Sequence, residues 1–113
     1  MCSCYTERMS SDPRQDEEQA TERRARLLNL DYYDTSQPGE KLLFKDFFTV
    51  PDMYAHRIVP LRFDGSSALF GITTTTSQQT INNTRAHLTD VRTGFAIISD
   101  TGYREYMRLY DPP

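Results

Sequence analysis

The side chains whose types allow chemistry are two histidines, two cysteines and one run of hydroxyls. His56 lies four residues after Asp52. An imidazole–carboxylate pair can act as a base only beside a nucleophile and donors that hold an oxyanion, and neither stands nearby. His87 falls within a helical stretch with no carboxylate or cysteine at ligand spacing. Structural histidines account for both positions. Cys2 and Cys4 are too close in sequence for a comfortable disulfide, and no His/Cys cluster follows to complete a metal site. They read as spare thiols of a reducing compartment. Thr73–Thr76 and Ser77 lead into a helix, whose N-terminal N–H groups can hold an anion. Helix capping explains the same hydroxyls.

Phosphate-binding loops are missing: there is no G-x-x-x-x-G-K-[ST] and no G-x-G-x-x-G, and the five glycines stand singly. Hydrolase patterns G-x-S-x-G and H-E-x-x-H are likewise absent. A length of 113 residues permits one domain. The net charge of −3 gives no bulk attraction to nucleic acid or anionic lipid. No apolar run approaches the roughly 18–20 residues that cross a bilayer, and no apolar secretory segment opens the chain. The expectation is a cytoplasmic protein without direct membrane insertion.

The elements that must position these side chains follow from pattern. Residues 1–12 form a polar tail expected to be disordered up to Ser11. Asp12-Pro13 starts a helix, with Asp as N-cap and Pro at the first position. Its early Asp16, Glu17 and Glu18 and late Arg23, Arg24 and Arg26 suit the helix dipole. Ala20, Leu27 and Leu28 share one face with the stem of Arg24, so the first turns should be solvated and the last two docked. Leu30–Thr35 reads as an extended segment, and Ser36-Gln37-Pro38-Gly39 as a turn. Val50-Pro51-Asp52 opens a short helix. Ile58–Phe63 and Ala68–Ile72 form a hairpin through Asp64-Gly65, with Pro60 forcing the first arm to an edge or a bulge. Thr75 with Gln78, or Thr76 with Gln79, has capping-box spacing ahead of a helix through Ile81, Thr84 and Leu88. Phe95–Ile98 is a buried strand. Asp100 caps a final helix with Tyr103, Tyr106, Met107 and Tyr110 at i, i+3, i+4, i+7. The fold class is α/β (α+β): a small three-stranded sheet with a β-hairpin, packed helices and a solvated N-terminal helix.

Three segments resemble the N-terminal domain of type II secretion and type IV pilus assembly ATPases (GspE/PilB-like). Arg24-Ala25-Arg26-Leu27-Leu28-Asn29-Leu30-Asp31-Tyr32-Tyr33-Asp34 is similar to the family's "RA-x-LLGLPYVDL". Tyr54-Ala55-His56-Arg57-Ile58-Val59-Pro60-Leu61 with Asp64-Gly65 is similar to its "A-x-x-x-VVPL" strand and turn. Leu88-Thr89-Asp90, Ile97-Ile98-Ser99-Asp100 and Tyr110 resemble its "L-T-G … V-x-A-S-x-x-D-I … Y" close. Asn29 stands for the usual Gly, Asp31 for a Pro and Asp90 for a Gly. The helical "RLG-x-x-L-V" motif with which some members bind cyclic di-GMP is not present.

The resemblance implies a non-catalytic domain spanning 13–111, with 112–113 starting a linker to an ATPase domain that carries the Walker motifs. It implies no cofactor and no metal. The partners it implies are that ATPase domain and the inner-membrane platform protein of the pilus or secretion machine, met on the cytoplasmic side. Arg24, Leu28, Tyr32 and Tyr33 are the candidate partner-binding residues, because an aromatic beside an arginine suits a binding hot spot. Adjacent tyrosines on an extended segment face opposite ways, so one should be exposed. Two alternatives remain: a nucleotide or cyclic di-GMP binding module using Thr73–Ser77, and an enzyme centred on His56 and Asp52.

Overall fold

The structure, a computed structural model, describes residues 12–37 and 39–113. The tail with Cys2 and Cys4, and Pro38 of the expected turn, lie outside the described residues. Among the described residues the order is α1 (Pro13–Leu27), β1 (Asp31–Tyr32), α2 (Val50–His56), β2 (Ile58–Phe63), β3 (Ser67–Ile72), α3 (Gln78–His87), β4 (Arg92–Ile97) and α4 (Asp100–Tyr110).

The hairpin β2–β3 forms where Asp64-Gly65 predicts it. Gly65 adopts φ 96°, and the Asp64 carboxylate accepts from the Ser66 and Ser67 amides at 2.9 and 2.7 Å. Those amide bonds come first in holding the Asp64 carboxyl down at about 2. Pro60 sits on an edge strand, since the sheet order is β1-β4-β3-β2. Pairing slips by one residue between Pro60 and Arg62, a bulge that resets the alternation. Phe63 therefore points to the same side as Phe70, and Phe47 meets both edge-on at centroid distances of 5.1 and 5.2 Å.

The sheet has four strands rather than three. The extended segment after α1 pairs parallel with β4, Asp31 opposite Ala96 and Tyr32 opposite Ile97. Two residues are too few to show a strand's alternation, so only the pairing reveals it. Strand β4 also begins earlier than its apolar part, because Arg92-Thr93-Gly94 pairs with Ser67-Ala68-Leu69 at the solvated end of the sheet. A crossover through α3 makes β3 and β4 parallel.

Each sheet face carries its own core. Ile58, Ala68, Phe70, Ile72, Phe95 and Ile97 pack with Ile81 of α3 and Ala25 of α1. Val59, Leu61 and Ile98 pack with Met53 of α2 and with Tyr103, Tyr106, Met107 and Tyr110 of α4. The i, i+3, i+4, i+7 stripe of α4 is buried at all four positions. Two caps differ from expectation. Ser99, not Asp100, caps α4 by accepting from the Gly102 amide, and Ser77, not Thr75 or Thr76, caps α3 by accepting from Thr80. In both cases the residue one step outside the helix holds the extended backbone that a cap requires.

Helix α1 departs most from expectation. Leu27 is 86% exposed and Leu28 52%, and Ala20 and Arg24 are also exposed. The docked stripe is instead Arg14, Glu18, Thr21 and Ala25, spaced four, three and four residues apart. Three of those four are polar, so ranking residues by hydrophobicity selects a different face.

Candidate docking surface

The Asp12 side chain caps α1 by accepting from the Arg14 amide at 3.0 Å. The Arg14 guanidinium then bridges three elements. It donates to Glu18 at 2.7 Å, to Glu105 of α4 at 2.7 Å and to the Thr35 hydroxyl at 3.1 Å. Glu18, only 5% exposed, also accepts from the Tyr32 and Ser99 hydroxyls, both at 2.5 Å. Glu17 accepts from the Thr101 amide at 3.1 Å and its hydroxyl at 2.5 Å. Two carboxylates of α1 thus sit at the N-terminus of α4, where the helix dipole favours negative charge.

The titration behaviour follows from this clasp. The Arg14 bond comes first in holding the Glu105 carboxyl below the usual glutamate range. Burial pushes Glu17 up, yet the Thr101 hydrogen bonds outweigh it and leave that carboxyl lowered too. Burial, then the bond to Glu18, drives the Tyr32 phenol far above its ordinary value.

At its other end α1 stops in a left-handed cap. Asn29 takes φ 59°, its amide donates to Arg26 at 3.1 Å, and the Leu30 amide donates to Ala25 at 2.8 Å. This pair of bonds is the Schellman arrangement, in which asparagine substitutes for glycine at modest cost. The Ala25 and Arg26 carbonyls are satisfied and the turn is fixed. Leu27, Leu28 and Leu30 (40% exposed) stand outward from it, with Arg23, Arg24 and Arg26 exposed beside them. Arg26 pairs with Glu22 at 3.3 Å, whereas no carboxylate among the described residues lies within ion-pair distance of Arg23 or Arg24.

The four candidate partner residues therefore fall into two groups. Arg24 and Leu28 lie on this exposed tip. Tyr32 and Tyr33 are both half-buried: Tyr32 is bound to Glu18, and the Arg62 guanidinium lies 5.9 Å from the Tyr33 ring centroid. Neither tyrosine is the exposed member expected of the pair. Leu27, Leu30 and Arg23 belong to the tip by geometry. The signal for them was present in the sequence as three leucines within four residues after an arginine-rich turn.

The structure also gathers residues that sequence spacing keeps apart. Asp52, His56 and His87 line one groove of about 320 Å3 between α2 and α3, floored by Phe47, Phe48 and Ile58. The His56 Nδ1 lies 3.4 Å from the Thr80 hydroxyl, which is also 3.0 Å from that of Ser77. Among the described residues no three His, Cys, Asp or Glu side chains are placed to hold a metal ion. The hydroxyls of Thr73, Thr75, Thr76 and Ser77 serve the fold. Thr76 donates to the Arg57 carbonyl at 2.6 Å and accepts from the Thr73 amide at 3.0 Å, and Ser77 caps α3. They hold the junction at Arg57, a non-glycine residue at φ 54°.

The fold and this surface define a small α+β domain with a mixed four-stranded sheet and a polar-docked first helix. It is similar to the solved structure of the N-terminal domain of XpsE, with a TM-score of 0.54 at 11% identity. The match covers 84% of this chain and 64% of that one, so the present chain spans under two thirds of that structure. The likeness shows a shared fold, the one that the motif resemblance implied. No family model matches the chain, and no curated protein matches it. No helix among the described residues is long and apolar enough to cross a membrane.

Proposed function

We propose that this chain is a non-catalytic docking domain of the kind that stands at the N-terminus of a type II secretion or type IV pilus assembly ATPase. In that role it joins the ATPase domain to the inner-membrane platform protein on the cytoplasmic side. The observation that carries the reading is the fold shared with the N-terminal domain of XpsE, a type II secretion ATPase. Order and spacing of the three sequence motifs support it. So does the exposed surface formed by Arg24 and Leu28, which the fold leaves uncovered.

The test is co-elution of the 113-residue chain with the cytoplasmic portion of a cognate platform protein. A stable complex with no ATP turnover is expected. Failure to associate at concentrations of about 100 μM, where interactions down to roughly −5.5 kcal/mol become visible, overturns the reading. Titration with ATP and with cyclic di-GMP decides the rival role at Thr73–Ser77, and saturable micromolar binding of either would favour it.

A further inference from the structure

We infer that the C-terminal tip of α1, made by Leu27, Leu28 and Leu30 with Arg23 and Arg24, docks an acidic protein segment that carries an apolar ridge. This rests on the docking reading above, and names the surface used and the chemistry of the partner.

Three observations lead there. The first is exposure in the wrong place for a helix end. Leu27, Leu28 and Leu30 are 86%, 52% and 40% exposed, three of the seven large exposed hydrophobics among the described residues, and they fall within four consecutive residues. Single exposed leucines are ordinary, but a contiguous group is a feature of interaction surfaces.

The second is rigidity. The Schellman bonds from Asn29 and Leu30 fix the turn, and the Arg14, Glu17 and Glu18 contacts anchor the far half of the same helix. A partner would meet a surface already ordered, so little conformational entropy is lost on binding.

The third is charge. Residues 21–30 hold three arginines and one glutamate, on a chain whose net charge is −3. Positive charge is thus concentrated at the tip. Arg23 and Arg24 are not neutralised by the described residues, and each can fork onto a partner carboxylate. Carboxylates flanking an apolar ridge complement both parts of the tip at once. An anionic bilayer would instead meet the negative remainder of the molecule, including the exposed Asp31 beside Leu30. That favours a narrow protein segment over a lipid surface.

The experiment uses the full chain, two synthetic helical peptides and vesicles. One peptide has leucines at i, i+3 and i+4 flanked by glutamates, and its twin has lysine at every glutamate position. Phosphatidylglycerol vesicles form the third arm. Amide resonances of the chain locate the binding, and titration gives the affinity. The glutamate peptide is expected to shift residues 23–30. Its affinity should fall at least tenfold in Leu27→Asp and in Arg24→Glu, but less in Arg24→Lys. It should also weaken severalfold as salt rises from about 0.1 to about 0.5 M.

Equal binding of the two peptides overturns the inference, as do shifts confined to the groove near His56 and His87, or association with vesicles alone. Leu27 and Arg24 are exposed, so both variants keep the fold, which circular dichroism verifies. If the platform protein binds wild type, Leu27→Asp and Arg24→Glu equally, this inference falls and the docking reading stands. If the acidic peptide binds at the tip while the platform protein does not bind at all, the docking reading falls and the tip's chemistry stands.

Discussion

Replacing Gly102 by alanine sets two effects of opposite sign against each other. Gly102 is the third residue of α4, and its own amide donates to the Ser99 cap at 3.0 Å. Alanine is the better helix former by at most about 1 kcal/mol, so propensity alone predicts stabilisation. The structure predicts the reverse. A Cβ at this position would lie 2.7 Å from Thr35 Cβ and 3.0 Å from Thr35 Cγ2, with the hydroxyl nearer still. Thr35 is 3% exposed, and its hydroxyl receives the Arg14 guanidinium, so it cannot swing away without breaking the clasp. Overpacking against a side chain held this way costs about 3 kcal/mol, the upper part of the usual range. Set against the helix gain, Gly102→Ala should destabilise by about 2 kcal/mol and lower the melting temperature by roughly 10 °C. Urea unfolding followed by circular dichroism reads it as a lowered midpoint at unchanged slope. Thr35→Ala removes the hydroxyl and the methyl group, so the pair should show a coupling of about 1 kcal/mol in a double-mutant cycle. An unchanged or raised midpoint for Gly102→Ala would refute the claim that α4 and the segment after β1 meet this closely.

Glu18→Ala should cost about 3 kcal/mol by leaving the Tyr32 and Ser99 hydroxyls without their acceptor in a buried site, and Glu18→Gln clearly less; chemical denaturation measures both. Acid should loosen α1 before the sheet. Glu17 and Glu105 have folded values below their ordinary ones. Their contribution is therefore complete above about pH 4.5 and is lost as pH falls through the depressed range. Protection of the Thr101 amide, taken relative to its intrinsic exchange rate at each pH, should fall below about pH 4 while that of Phe70 holds, and simultaneous loss of both would contradict a separable clasp.

Much of the scaffold was legible in the sequence because its signals are local. Asp64-Gly65 announced the hairpin, Pro60 the edge position, Asp12-Pro13 the start of α1, and the tyrosine spacing the buried face of α4. Each is a short-range constraint that packing reinforces. Strand β1 was missed as a strand because two residues carry no period and its identity lies in pairing with Ala96 and Ile97. The face of α1 was misread for a related reason. Its docking energy comes from Arg14, Glu17 and Glu18 reaching residues about 80–90 positions away, and nothing local marks a glutamate as buried. The same cause divides the four candidate residues: Arg24 and Leu28 are exposed, while Tyr32 and Tyr33 are drawn into contacts with Glu18 and Arg62. The convergence of Asp52, His56 and His87 on one groove likewise depends on how α2 and α3 pack, which no spacing within either helix records.

In the proposed role this chain binds a partner and performs no bond chemistry of its own. Calorimetric titration of the chain with the cytoplasmic portion of the platform protein addresses it most directly. Saturable association near one-to-one, with no heat from added ATP, is the predicted result. No heat with the platform protein, together with saturable heat or turnover from a nucleotide, would contradict it.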